Sequence, residues 1–177
     1  MGEDFQHRRA QRDDLPALKA LMDAAIGDLQ KPFLSAEQIA SSRMTMGLDT
    51  QLIEDGTYLV VESGGLLAGC GGWSRRATLY GGDHSPGRSL DLLDPSKDAA
   101  RIRAMYTNPA FARRGVGRLI IAVCEAAARA EGFGRMELMA TLTGAPRYRA
   151  CGYHVIEDIV ERRGGAPVPM HRMGKVF

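Results

Sequence analysis

Residues 112–120, ARRGVGRLI, set Arg113, Arg114 and Arg118 around Gly115 and Gly117 at the mouth of an apolar helical run. The first N–H groups of a helix have no partner within it. Those donors and the helix dipole converge on one point, so a strand, glycines and a helix in succession can hold an anion. Ile120 excludes two nucleotide motifs. A dinucleotide fingerprint, GxGxxG, needs glycine there, and no acidic residue closes a following βαβ unit at the expected spacing. A P-loop needs Gly-Lys-Ser/Thr to begin at that same position. By itself, the stretch is either an anion cradle or a turn whose glycines permit tight packing while its arginines stay solvated.

The flanking elements must position it. RIRAMYT, residues 101–107, alternates Ile102, Ala104 and Tyr106 with Arg101, Arg103 and Met105 and ends at Asn108-Pro109, which predicts a strand entering the glycines. Beyond them, Val116, Leu119, Ile120, Val123, Ala126, Ala127 and Ala130 form an apolar stripe, and Gly132 stands where a helix is commonly stopped; a helix of about four turns follows. Near the start of the chain, Asp14 is expected to cap a helix with Pro16 in its first turn and Leu15, Leu18, Met22, Ala25 and Leu29 on one face. Ser35 and Gln38 form a capping box ahead of Ile39, predicting a short helix toward Met46 that Gly47 ends.

TYLVVES, Gly64-Gly65 and LLAGCGGW read as an antiparallel hairpin. Residues 75–100 have no sustained period and read as a long loop, and loops of that length are usually functional or disordered. MELMATL (136–142) is a strand, residues 145–151 a short helix, and residues 153–160 a strand before the turn at Gly164-Gly165. The tail PVPMHRMGKVF is expected at a sheet edge, because proline cannot donate to a ladder. No repeat or linker interrupts the chain, so one domain over residues 1–177 is expected.

Composition narrows the partners. Of 177 residues, 23 are Lys or Arg and 21 Asp or Glu, a net charge of +2. With no aromatic residues interleaved among the arginines, neither nucleic acid nor a membrane surface is an expected partner. Cys70, Cys124 and Cys151 are an odd set without CxxC spacing, and they suggest buried hydrophobes in a reducing compartment. The first residues lack an apolar signal core, Gln6 stands where a myristoylation signal wants Ser or Thr, and no apolar run approaches the ~20 residues of a membrane span, so a soluble cytoplasmic protein is expected. His154 and His171 have no ligand spacing, and no metal is expected.

The strand ending at Asn108-Pro109, then ARRGVG, an apolar helix, MELMATL and APRYRACGY together resemble the GCN5-related N-acetyltransferases (GNAT). The resemblance covers most of the chain and is sharpest from Arg101 to Tyr153. It implies an α/β fold with a mixed, mostly antiparallel, twisted sheet flanked by helices and splayed central strands. The family's loop, Arg/Gln-x-x-Gly-x-Gly/Ala, holds the pyrophosphate of acetyl-coenzyme A. Its last three positions match Gly115, Val116 and Gly117, but its first falls on Ala112. The phosphates are therefore assigned to backbone N–H groups of Arg113 through Arg118, with charge from Arg113 and Arg114.

The resemblance further implies direct transfer of an acetyl group to a primary amine in a ternary complex. It points to Tyr148 as the acid that protonates the departing thiolate. Met105, Tyr106 and Thr107 are implied at the strand that holds the pantetheine arm and stabilises the oxyanion by backbone. Thr143 stands where relatives often carry an Asn that helps hold that arm.

The base is not assigned by the resemblance: RIRAMYT contains no Glu, and the candidates are Asp83, His84, Asp91, Asp94 and Glu62, with His84 having the most suitable ordinary pKa. Trp73 is a candidate wall of the acceptor pocket. Asp91, Asp94 and Asp98 lean the acceptor toward a cationic small molecule, ahead of a protein lysine. A non-catalytic acyl-coenzyme A sensor on the same fold is the alternative, and homodimerisation is left open.

Overall fold

The computed structural model describes residues 4–177. Gly2, the residue a myristoyl group would modify, lies outside them. The elements run β1 Gln6–Arg9, α1 Leu15–Asp28, α2 Ala36–Ser42, α3 Thr50–Glu54, β2 Tyr58–Ser63, β3 Leu66–Ser74, β4 Ala100–Thr107, α4 Val116–Ala130, β5 Arg135–Thr141, α5 Ala145–Ala150, β6 His154–Glu161 and β7 Val168–Val176. The strands make one seven-stranded sheet in the order β1-β2-β3-β4-β5-β7-β6. Every pairing is antiparallel except that of β4 with β5. The expected mixed, mostly antiparallel sheet flanked by helices is the observed one.

Local chemistry explains most elements. Gly64 and Gly65 both take positive φ, 56° and 79°, as a two-residue hairpin turn that matches strand twist requires. Ser35 and Gln38 close the capping box of α2, which stops at Ser42, before the expected limit near Met46. Asp14 precedes α1 but does not cap it. Its carboxylate accepts from the Gln11 N–H at 2.7 Å and from the Arg8 guanidinium at 2.8 Å, tying β1 to the segment before the helix.

The tail departs from expectation. β7 lies inside the sheet between β5 and β6, and β6 is the edge strand. Pro167 precedes the strand, and the ladder with β5 reaches only from Val176 to Met170, so Pro169 lies beyond it and its missing N–H costs no bond on that side.

Three features of the sheet centre position the site. β3 carries Gly69 and Gly71 under α4. A Cβ at Gly69 would lie 2.5 Å from Val116 Cγ1 and one at Gly71 3.0 Å from Ile120 Cγ2, so the helix rests on the strand's backbone. Opposite Gly71, β4 bulges: Cys70 pairs with Tyr106 and Gly72 with Arg103, leaving Ala104 and Met105 opposite one residue, with Ala104 at φ 49°. β4 meets β5 only at Ala100–Met136 and Arg101–Glu137, and from there the strands part.

Most of the core falls into two halves, with a small third cluster of Leu34, Val168 and Met170. Ile102, Ile120, Cys124, Met136, Leu138 and Tyr148 belong to the cluster that includes α4, and Leu18, Met22, Tyr58, Val60 and Tyr106 to the one that includes α1. The long loop between β3 and β4 is pinned on several sides. Arg76 pairs with Asp55 at 2.7 Å, Arg88 with Asp49 at 2.6 Å, the Thr78 hydroxyl donates to Ser89 O at 2.7 Å, and Arg163 Nη1 donates to Pro86 O at 3.0 Å.

Candidate active site

The parting of β4 and β5 opens a cleft that holds a cavity of about 130 Å³. Its lining takes in β4 from Ile102 to Thr107, the start of α5, the end of α1, and residues 45–47 and 79–81. From Ile102 onward β4 has no β5 partner, so the peptide groups on that edge are free to bond a molecule inserted between the strands.

At one end of this geometry lies the turn into α4. Arg113 (φ 64°) and Gly115 (φ 96°) both adopt left-handed backbone, and Gly115 is the residue before the helix. The Leu119 N–H bonds to Gly115 O at 3.0 Å, and the donors of Val116, Gly117 and Arg118 stand ahead of that bond in the helix's first turn. Arg113, Arg114 and Arg118 are exposed, and Arg114 lies over the Phe111 ring at 5.5 Å. Gly117 is covered by a residue that sequence reasoning passed over: a Cβ there would lie 2.5 Å from Arg147 Cδ. Arg147 lines the cleft and brings a third kind of anion partner, a half-buried guanidinium from α5, to the same turn. Its signal was its place beside Tyr148 in PRYR.

Tyr148 lies on α5 with its ring edge-on to Tyr153, 6.0 Å between centroids. It is 7% exposed and its hydroxyl donates to Met105 Sδ at 3.5 Å, so it reaches across to the bulge of β4. Burial pushes its phenol up to about 12, against a smaller opposing effect of the Arg147 charge. The group therefore holds its proton throughout the neutral range. Thr143 lines the cleft and its hydroxyl donates to Leu29 O at 3.1 Å, joining the β5–α5 connection to the end of α1. Tyr106 turns its ring toward the α1 half of the core, where its hydroxyl accepts from the Gly47 N–H at 2.8 Å; burial raises its pKa as well. Met105 and Thr107 line the cleft with it.

Trp73 and the five base candidates are placed elsewhere. Trp73 is buried beside Phe133 (6.1 Å, edge-on) with Arg75 over its ring at 5.0 Å, in the α4 half of the core and outside the cleft lining. His84 is exposed, its Nε2 2.7 Å from Arg43 O, and its ring backs onto Gly47 and Gly82 without entering the lining. The Asp83 carboxylate accepts from the Thr50 N–H at 3.0 Å and pairs with Arg88 at 3.2 Å, Asp94 accepts from Ser96 within the loop, and Glu62 pairs with Arg8. Asp91 is an exposed loop residue. Among the described residues no carboxylate lines the cleft.

Its charged lining residues are Arg103 and Arg147. Arg103 is 4% exposed, 2.8 Å from the Asp49 carboxylate, and donates to Thr78 O at 3.1 Å. Asp49 in turn meets Arg88, so one carboxylate joins β4, the long loop and the start of α3. Tyr80 lines the cleft and donates to Glu161 at 2.8 Å; the Arg163 guanidinium beside Glu161 holds that carboxyl down at about 2. Apart from Arg163 and Glu161, two positions apart, these contacts join residues tens of positions apart and leave no local signal in the sequence.

Burial pushes the Cys70 thiol up to about 12 and raises that of Cys124, which leaves both as poor nucleophiles. Among the described residues no group of three His, Cys, Asp or Glu side chains is placed to hold a metal ion, and no helix is long and apolar enough to cross a membrane.

Residues 19–154 match the model of the acetyltransferase (GNAT) family. No curated protein matches the chain. Among solved structures it is similar to a GCN5-related N-acetyltransferase from Rhodopseudomonas palustris described as an aminotransferase, class II (19% identity, all of this chain and 97% of that one, TM-score 0.72). It is also similar to the PaiA N-acetyltransferase of Thermoplasma acidophilum in complex with coenzyme A (14% identity, 98% and 99%, TM-score 0.65). A third likeness is to YncA of Salmonella typhimurium with acetyl-coenzyme A (17% identity, 97% and 93%, TM-score 0.62). These likenesses are of fold, and the family match extends over most of the sequence: the chain belongs to the GNAT acetyltransferase family.

Proposed function

We propose that this chain is a single-domain, cytoplasmic N-acetyltransferase that transfers an acetyl group from acetyl-coenzyme A to the primary amine of a small molecule. The observation that carries the reading is Tyr148: a buried, protonated phenol that faces Met105 across the gap between β4 and β5. Bound there, the coenzyme supplies an acyl thioester at the end of a flexible arm. The residues fit such a group, since β4 has an unpaired edge, α4 opens on free donors and Arg147 stands over Gly117. The phosphates fall to the backbone of residues 113–118 with the arginines in support, and the arm to the peptide groups of Met105, Tyr106 and Thr107.

The chemistry balances with these parts. The amine, having given up its ammonium proton to solvent, forms the new C–N bond at the thioester carbon. The carbonyl oxygen takes up charge against the β4 backbone. As the C–S bond breaks, the Tyr148 hydroxyl gives its proton to the sulfur and regains one as the second amine proton leaves. With no carboxylate among the described residues of the lining, the proton path runs through water and solvent. That same absence favours a second reading, an acyl-coenzyme A sensor without turnover.

Calorimetric titration with acetyl-coenzyme A followed by a free-thiol assay over a panel of amines separates the two. Amine-dependent thiol release supports the transferase. Binding without release favours the sensor, and no binding overturns both.

A further inference from the structure

Gln30 lies just past the end of α1, is 3% exposed, and lines the cleft. Its side-chain nitrogen donates to Ile26 O at 3.3 Å and to Ser42 Oγ at 3.1 Å. A backbone carbonyl only accepts, and the Ser42 hydroxyl commits its own proton to Ile39 O at 2.7 Å. The amide is thereby oriented, with nitrogen toward the helices. Its oxygen, Oε1, is buried and has no hydrogen-bond partner. Buried polar atoms in folded proteins are almost always paired, so an oriented and unpaired acceptor in a binding cleft marks the position of a ligand's donor.

The neighbourhood says which ligand. Leu29, adjacent in sequence, accepts the Thr143 hydroxyl bond, and the next residue, Gly144, lies against the Tyr148 ring. Gln30 is thus coupled to the segment that presents Tyr148. The cleft that Gln30 lines takes an apolar wall from Leu29, Met46, Leu79, Met139 and Met170. The cation at this end, Arg103, is already matched by Asp49. An ammonium group beyond the reacting one would be buried there without a counter-charge, which is strongly unfavourable.

We infer that Gln30 Oε1 accepts a hydrogen bond from the acceptor's reacting amine, and that the acceptor is a primary amine carried on an uncharged apolar body without a second cationic group. This rests on the transferase reading above. Gln30 is a positioning residue here, since the amide changes no bond and only directs the nitrogen lone pair toward the thioester.

The test compares phenethylamine with spermidine in the free-thiol assay, on the wild type, Gln30→Met and Gln30→Glu, with thermal unfolding and acetyl-coenzyme A calorimetry on each. Loss of one hydrogen bond to the amine should raise the phenethylamine KM of Gln30→Met about tenfold, with kcat and acetyl-coenzyme A affinity changed by less than about threefold. Wild type should prefer phenethylamine by at least about tenfold in kcat/KM, and Gln30→Glu should move that preference toward spermidine. A wild type that prefers spermidine, a folded Gln30→Met with unchanged KM, or one that loses coenzyme affinity instead (the oxygen then serving a pantetheine amide) overturns this assignment alone. Should neither variant fold, the wild-type ranking decides. No turnover with any amine overturns the transferase reading and this one together.

Discussion

The Tyr148 hydroxyl stands 3.5 Å from Met105 Sδ, so a residue of α5 and the bulge of β4 meet across the gap where β4 and β5 part. A positioned acid typically contributes 10²–10⁴-fold. Tyr148→Phe should lower kcat by about 100-fold while acetyl-coenzyme A still binds, checked by steady-state thiol release and calorimetry. Full turnover in this variant would sink the assignment.

The pH profile follows from the same group. Burial places the Tyr148 phenol near 12, so its proton is retained at every pH used for such an assay. The rising limb of kcat/KM should then track deprotonation of the amine, and no falling limb should appear below about pH 11. A fall between pH 8 and 9 would mean that some other acid limits the reaction.

Gly117 and Arg147 share one small space. Gly117→Ala should displace the guanidinium and Arg147→Ala should remove it, each raising the acetyl-coenzyme A Kd by about tenfold, with half-exposure of Arg147 keeping the effect near the low end for a charged hydrogen bond. Calorimetry in low and high salt checks this, because the Arg147→Ala deficit should shrink as salt rises.

Asp49 joins Arg103 and Arg88 while almost wholly buried. Removing one partner of a buried ion pair leaves an uncompensated charge, so Asp49→Ala should cost about 3–5 kcal/mol of folding free energy. Urea denaturation measures it, and limited proteolysis should find new cuts within residues 75–99. Stability within 1 kcal/mol of wild type would show that the network is not a support of this loop.

Glu161 gives a stability effect with a defined sign. Its carboxyl is held at about 2 by Arg163, below the ordinary carboxylate value, so its contribution is complete above about pH 4.5 and is lost as pH falls through 2. Glu161→Gln should unfold roughly 5 °C lower at pH 7 and converge with wild type near pH 2. Parallel curves over that range would contradict the pairing.

Sequence made the centre of the fold readable because its signals are local. The hairpin turn needs glycines in a row, α4 announces itself by its apolar stripe and Gly132, and the parting strands followed from the resemblance carried by residues 101–153. What was hidden depends on partners far along the chain. QHRR of β1 is exposed at all four positions and has no alternation to detect; it is a strand because β2 pairs with it. TQLIE is too short for helical periodicity to emerge. The prolines of the tail pointed to an edge, and only the offset of the β5 ladder shows why β7 can lie inside. The acceptor end was least legible: Trp73 and His84 suggested a pocket by type, whereas Gln30, Tyr80 and Arg103 line the cleft through contacts with Ser42, Glu161 and Asp49.

At Gly69 and Gly71 β3 presents bare backbone to α4, and the Val116 and Ile120 side chains rest directly on it. The interval from the turn at residues 113–117 to the bulge at Ala104 is consequently set by one layer of side chains, where a helix packed on a strand ordinarily interposes two. Even the smallest addition at either glycine wedges the helix outward and resets the span at once, so these two hydrogens act as the molecule's length standard.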